Sequence, residues 1–514
     1  MEENVRSQGS DHRLPGDTAP ARVRECLPRD LVVVFFLGAI ALSCAWLYQD
    51  FAQDDAFITY RYARNLVTGY GFVYNPGESV LGTTTPLYTL LLALLALVSG
   101  QDIRLLGHFV SITSLWLSGA MLYSLGKNRD TMLAAAIALV FVTNPLLISA
   151  IGMETLFLVA LMLVALKAYC SEKFKLTGLL LGLLVLTRLE TALFAGLLGA
   201  HFLLQRRQLP YWLLIAVAAS IPWLVFAWHT FGSVIPHSVQ AKVIERAAGH
   251  GYSFPLGAVL WWGVYVNETL WYLALVPLVL FGIYEALKNG ARSQAYALIL
   301  AWTVVYFVAA SFVAGSFPWY YGPLVPGFAI IVALGTDFLA RVVNLFKPRD
   351  GRLTADRLRT AAFCVITLGV LTLQLSSWSS DWVSFSGRVV DRRYVEGREV
   401  ANWLNTHADE GESLAAEEIG VLGYFADIKI VDLYGLVTPN LLPYLEHGRA
   451  ETLRQAITIY EPDYVLARHP DLIELLDESR VYERTETFSD GALILYRRTT
   501  KAIPEYPNGT GHCL

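Results

Sequence analysis

The chain has 514 residues, 55% hydrophobic and 16% charged, against about 45–50% and ~25% in ordinary globular domains. That balance excludes a disordered chain and a single soluble domain. The formal charge of −5 conceals a division: residues 378–514 carry 13 basic and 23 acidic residues, the preceding 377 carry 26 and 21. An apolar, basic-biased body therefore precedes an acidic tail of ordinary soluble composition.

Residues 1–30 are polar, hold five arginines and show no hydrophobic pattern, so they read as a disordered cytoplasmic arm. The run Leu31–Tyr48 is long enough to span a bilayer. No small-residue cleavage site follows it, so a retained membrane helix is expected rather than a signal peptide. Further apolar runs lie near 84–99, 105–125, 131–150, 153–170, 176–187, 189–204, 211–230, 269–287, 295–313, 320–340 and 360–377.

Basic residues orient them. The loops with Lys127/Arg129, Lys173/Lys175, Arg206/Arg207, Lys288/Arg292 and the cluster Lys347 to Arg359 are expected in the cytoplasm. Loops near 144–155 and 314–319 lack Lys and Arg and are expected outside. These assignments agree if 84–99, which is short and contains Pro86, fails to cross. About eleven crossings remain, with the amino terminus inside and a membrane domain over 31–377. Runs 176–187 and 189–204 meet at Thr187-Arg188-Leu189-Glu190, a charged break tolerated at such depth only where it lines a cavity.

After residue 377 the pattern becomes that of a small extracytoplasmic α/β domain over 378–500. Strands are expected at 413–416, 428–432, 464–467, 481–488 and 492–497, with helices at 394–407, 439–446, 450–460 and 471–478. Residues 501–514 read as a flexible tail. The cysteines, Cys26, Cys44, Cys170, Cys364 and Cys513, have no metal-ligand spacing and read as buried small hydrophobes.

The first outer loop, 49–104, carries the strongest chemical signal. Asp54 and Asp55 stand side by side just beyond the first membrane helix. Such a pair costs desolvation unless a cation, a phosphate-bound metal or a reacting hydroxyl uses it. The plainer reading is a capped helix with ion pairs to Arg61 and Arg64. Group transfer from a phosphate to a hydroxyl needs a base at that hydroxyl and positive groups at the departing phosphate. Asp54 or Asp55 suits the first, and Arg188 and Lys242, with Arg61 and Arg64 as alternatives, suit the second. Glu154 is a partner acid or a helix-start carboxylate, Glu190 sits in the charged break, and His237 stands near the acceptor or in a plain hydrogen-bonded turn. Trp319, Tyr320 and Tyr321 offer aromatic faces to a substrate or anchor the interface. A weak divalent cation (Mg²⁺ or Mn²⁺) at Asp54, Asp55 and Glu154 is left open. No Walker loop or dinucleotide fingerprint is present, and no nucleic-acid partner is indicated.

The segments Asp54-Asp55-Ala56-Phe57-Ile58 through Tyr60-Arg61-Tyr62-Ala63-Arg64-Asn65-Leu66, Gly69 to Glu78 and Gly82-Thr83-Thr84-Thr85-Pro86-Leu87 resemble the first periplasmic loop of GT-C glycosyltransferases. Within that superfamily the chain is most similar to the bacterial branch of the mycobacterial terminal β-(1→2) arabinofuranosyltransferases. Aminoarabinose transferases of lipid A and protein mannosyltransferases resemble it more distantly. Gly152 to Thr155, Thr187 to Glu190, Phe231 to Pro236 with Ala241-Lys242, Phe317 to Tyr321, Ile419-Gly420 and Asp432 to Val437 look like the family's later loop motifs, in matching order.

The resemblance implies a polytopic α-helical membrane enzyme of the inner (plasma) membrane. Its implied reaction inverts the anomeric carbon, moving a sugar from polyprenyl phosphate to an envelope glycan, lipid or protein. It favours Asp54 as the base. The family often has Pro at Leu189, Asn-Thr at His237-Ser238 and Gly-Tyr-Thr-Asn at the threonine run, differences that bear on the donor sugar. Two readings from other classes compete: a transporter built on the broken helices around Arg188, and a non-catalytic envelope-assembly scaffold.

Overall fold

The computed structural model describes residues 21–247, 252–268, 270–343, 354–377, 384–385, 388–389 and 392–499. Residues 1–20, the basic positions Lys347, Arg349 and Arg352, and the segment 501–514 with Cys513 lie outside the described residues. Helix α1 spans Ala21–Leu47, so its first turns precede the apolar run at Leu31.

Among the described residues sixteen α-helices precede the carboxyl-terminal unit. After α1 come α2 (Asp54–Val67), α3 (Pro86–Ser99), α4 (Ile103–Gly126), α5 (Thr131–Val142), α6 (Pro145–Ile148), α7 (Thr155–Cys170) and α8 (Phe174–Thr187). Then follow α9 (Ala192–Arg206), α10 (Trp212–Phe231), α11 (His237–Ala247), α12 (Phe254–Glu268), α13 (Leu275–Asn289), α14 (Gln294–Val313), α15 (Val325–Val343) and α16 (Ala355–Ser376). Among the described residues seven segments are long and apolar enough to cross a membrane: α1 from Arg29, α4, α10, Leu270–Asn289, α14, Pro318–Val343 and α16. Helices α3, α5, α7 and α8 and the segment Phe254–Gly263 of α12 are apolar but shorter, so length and composition support seven of the eleven expected crossings. Helix α3 has 14 residues, or about 21 Å, well short of the ~30 Å hydrocarbon layer. Where α13 crosses α15, Gly282 and Gly335 remove the side chains that would meet Ile331 O and Leu278 O, the small-residue contact typical of membrane helices.

A charged staple closes one end of the bundle. Glu285 and Asp337 are buried; Arg292 and Arg341 bond Glu285 at 2.5 and 2.6 Å, and Arg359 bonds Asp337 at 2.5 Å. Lys127 pairs with Asp30 at the same end. The loop helix α2 lies at the other end of α4, a helix of 24 residues, roughly 36 Å away.

The carboxyl-terminal unit begins with a short hairpin of β1 (Ser384–Phe385) and β2 (Arg388–Val389). It continues through α17 (Arg392–His407), β3 (Ser413–Ala416), α18 (Gly420–Phe425), β4 (Lys429–Asp432), α19 (Leu442–Leu445), α20 (Arg449–Tyr460), β5 (Tyr464–Ala467), α21 (Pro470–Glu478), β6 (Tyr482–Phe488) and β7 (Leu493–Arg498). The sheet order is β4-β3-β5-β7-β6. Strand β3 pairs parallel with β4 and β5, while β7 pairs antiparallel with β5 and β6. The apolar runs of β3 and β5 are buried, as central parallel strands require.

Helix α2 is the joint between the two parts. Ten of its fourteen residues are buried, because the bundle covers one side and the sheet unit the other. Phe57, fully buried, packs on Tyr60 of its own helix and on Tyr394, Tyr424 and Phe425 of the sheet unit, with ring centroids 5.1–5.8 Å away.

Candidate active site

Gln53, in extended conformation, precedes α2, and neither aspartate caps the helix. The capping reading therefore does not hold, and the two carboxylates part company. Asp54 points into the sheet unit, where the backbone N–H groups of Gly420 and Val421 donate to its two oxygens at 3.0 and 2.8 Å. Burial, the largest influence, pushes its pKa up to about 7; the Val421 amide works against that shift and Glu418 adds to it. Asp55 turns the other way and pairs with Lys242 of α11 at 3.2 Å. Burial works against the Lys242 ammonium, but Asp55 and Tyr320 outweigh it and hold the pKa above the ordinary lysine value.

Two cavities meet at Asp55 and Lys242, each lined by both residues. The larger, about 210 Å³, lies between α2 and the sheet unit, and Asp54, Phe317, Arg393, Glu417 and Arg468 contribute to its wall. The smaller, about 40 Å³, is lined by Thr83, Thr85, Glu154, Arg188, Trp319 and Tyr320.

Arg188 follows α8 in extended conformation. Its guanidinium bonds Glu154 at 2.8 Å and Glu190 at 2.5 Å and lies 4.8 Å from the centre of the Tyr320 ring. The Lys242 ammonium lies 5.7 Å from the centre of the same ring and donates to its hydroxyl at 3.4 Å, so Tyr320 touches both cations. The loop carrying Glu154 is fixed by Gly152, at φ +90, whose carbonyl accepts from the hydroxyls of Tyr60 and Tyr88 at 2.7 and 2.9 Å. Only glycine adopts that conformation without strain, and a Cβ there would stand 2.8 Å from the Tyr60 hydroxyl.

Asp54, Asp55, Glu154, Arg188, Glu190, Lys242 and Tyr320 thus come together at one end of the bundle. Arg61 and Arg64 do not reach either cavity. Arg61, 3% exposed, donates to the carbonyls of Tyr74, Gly423 and Ile428 and to Asn75 Oδ1. Arg64 donates to the Tyr424 carbonyl at 2.5 Å. Through the Gly423 and Tyr424 carbonyls they grip the carbonyl end of α18. His237 opens α11, where its amide donates to Leu81 O, and lines neither cavity. Tyr321 turns away to stack on Phe254, 4.4 Å between ring centres.

The three acids considered for a metal do not form a ligand set. Asp54 is held by amides, Asp55 by Lys242 and Glu154 by Arg188, and among the described residues no group of three or more His, Cys, Asp or Glu is placed to hold an ion.

Two features escaped the sequence reading. Thr59, Thr83 and Thr85 form a hydroxyl triangle with oxygens 3.2–3.3 Å apart beside the smaller cavity; the threonine run at 83–85 was its visible signal. Glu417, Arg468 and His469 of the sheet unit wall the larger cavity, and no local spacing connects them to residue 54. Burial, opposed by Arg449, pushes Glu417 up to about 7.

A family model described only as a domain of unknown function, DUF8728, matches residues 388–507. No curated protein matches the sequence. Among solved structures the chain is similar to ArnT from Cupriavidus metallidurans bound to undecaprenyl phosphate: TM-score 0.56 and 12% identity over 94% of this chain and 99% of that one. It is also similar to the same protein in the apo state, with TM-score 0.55 and 12% identity over 93% and 98%. At that identity the likeness establishes the architecture. The chain has a GT-C-type fold, a polytopic helical membrane body with a small carboxyl-terminal sheet domain.

Proposed function

We propose that the protein is an inverting glycosyltransferase that moves a sugar from a polyprenyl-phosphate donor to a glycan, lipid or protein acceptor of the cell envelope. It acts at the outer face of the inner membrane, with its amino terminus in the cytoplasm. The observation that carries this reading is the division of the site at Asp55 and Lys242: a cavity holding a buried carboxylate on one side, and one lined by Arg188 and the threonine hydroxyls on the other. The likeness to a structure holding undecaprenyl phosphate supports a polyprenyl-phosphate donor.

In this reading the donor phosphate lies in the smaller cavity against Lys242, Arg188 and the Thr83–Thr85 hydroxyls, and the acceptor enters the larger one. Asp54 takes the proton of the acceptor hydroxyl as its oxygen forms a bond to the anomeric carbon from the face opposite the phosphate. The bond between that carbon and the phosphate oxygen breaks, and its electron pair leaves with the polyprenyl phosphate. Asp54 suits the base role because a carboxylate with a pKa near 7 is far more basic than an ordinary one. Asp55 keeps Lys242 in place between the two cavities. The threonine run, distinct from that of the arabinofuranosyl branch, leaves the donor a pentosyl or hexosyl phosphate lipid.

The test is transfer by the purified protein in lipid nanodiscs, using a panel of polyprenyl-phosphate pentoses and hexoses and envelope glycan acceptors. Wild type should transfer one donor with inversion, and Asp54→Asn should lower the rate by about 10²–10⁴-fold. Full activity in both Asp54→Asn and Asp55→Asn would sink the proposal.

A further inference from the structure

The contacts around α18 reach beyond docking. This six-residue helix begins 366 residues after Asp54 in sequence, yet its first two amides are the hydrogen-bond donors to Asp54. Its approach depends on two glycines. A Cβ on Gly420 would stand 1.8 Å from the Asp54 carbonyl oxygen and 2.7 Å from Asp54 Cγ, and one on Gly423 would stand 1.9 Å from the Tyr74 hydroxyl. Arg61 and Arg64 hold the other end of the helix through the carbonyls of Gly423 and Tyr424. The Tyr74 hydroxyl donates to Ile419 O at 2.6 Å, just ahead of its first turn.

We infer that Gly420 and Val421 are positioning residues for the base: their backbone amides fix the rotation of the Asp54 carboxylate, so the sheet unit is an obligatory half of the active site. This rests on the reading of Asp54 as the base. A carboxylate on a two-torsion stem needs such restraint, because misplacement of a reacting group by about 1 Å costs on the order of 10²-fold in rate. The other charged groups cannot supply it. Glu418, Arg393 and Asp55 act on Asp54 through charge, and Lys242, Glu417 and His469 share its cavity without donating to its oxygens. Backbone amides also keep their place whatever the protonation of those neighbours.

The experiment compares Gly420→Ala, Asp54→Asn and their combination in the full-length protein in nanodiscs, reading kcat and both KM values for the donor and acceptor that wild type uses. Alanine at 420 pushes the amides away from the carboxylate and leaves Lys242, Arg188 and the threonines untouched. The expected result is a fall of about 10–100-fold in kcat with both KM values unchanged, and no further loss when Gly420→Ala is added to Asp54→Asn. Arg64→Met, which loosens the far end of α18 without touching Asp54, should lower kcat in the same pattern, and Arg64→Lys should restore most of it. It serves as the second arm if Gly420→Ala does not fold. Wild-type kcat in Gly420→Ala, or losses that add to those of Asp54→Asn, overturns the positioning while leaving the base assigned. Wild-type kcat in Asp54→Asn overturns both.

Discussion

Replacing Arg61 by methionine tests the joint between bundle and sheet unit. The change keeps much of the apolar stem and deletes the guanidinium, which donates to three carbonyls at 2.5–3.1 Å and to Asn75 Oδ1 at 3.2 Å and packs 4.3 Å over the Tyr74 ring. Each buried carbonyl left without a partner costs about 1–3 kcal/mol. Water entering the loosened crevice recovers part of that, so a net loss of about 3–5 kcal/mol in docking free energy is expected, the range seen when a buried charged partner is removed. At about 1.4 kcal/mol per tenfold, the docked form becomes roughly 10²- to several-thousand-fold less favoured. Hydrogen–deuterium exchange of the full-length protein in nanodiscs should then show faster exchange in α18 and β4, with staple residues around Asp337 unchanged. Transfer should fall, while donor affinity, set by groups Arg61 does not touch, should hold. Unchanged exchange in α18 together with weakened donor binding would refute this reasoning and return Arg61 to the substrate.

Other outcomes follow from the same contacts. Transfer should be slow at pH 5 and rise to a plateau above pH 7, because Asp54 must lose its proton near pH 7 to act; a rate flat from pH 5 to 8 contradicts the base assignment. Asp54, Glu417 and Asp432 all hold protons up to about pH 7 in the fold but only to about 4 when unfolded. The folded state binds more protons between those values, so thermal stability should fall as pH rises from 5 to 8; a melting temperature that climbs over that range contradicts it. Lys242→Met should raise the donor KM at least tenfold, since it strips the cation shared by the two cavities, and steady-state titration of the donor reads this. Asp337→Leu leaves Arg359, at the far end of the bundle, without its buried partner and should lower the melting temperature in nanodiscs with donor KM unchanged.

Much of this architecture was local information. Apolar runs, basic loops and the change of pattern after residue 377 come from composition and period, properties a chain keeps before it folds. The five strands of the sheet unit fell within a residue or so of their expected places because turn residues and β-branched runs mark them locally. Strand order and the mixed pairing of β5 with β3 and β7 are long-range and left no such mark. The charged break at Arg188 was legible too, since Arg and Glu interrupt an apolar stretch only where a cavity or partner receives them.

The division of labour within the aspartate pair was not legible. Adjacent positions on a helix point about 100° apart, and only the arrival of Gly420 and Val421 from the far end of the chain decides which of the two is buried. The same arrival removes Arg61 and Arg64 from the substrate candidates and gives them backbone carbonyls. Sequence by itself determined that the loop after the first apolar helix carries two adjacent carboxylates and that later loops carry cations able to meet them. Tertiary structure decided which carboxylate faces which cavity, because burial and hydrogen-bond partners belong to the assembled joint and not to either segment alone.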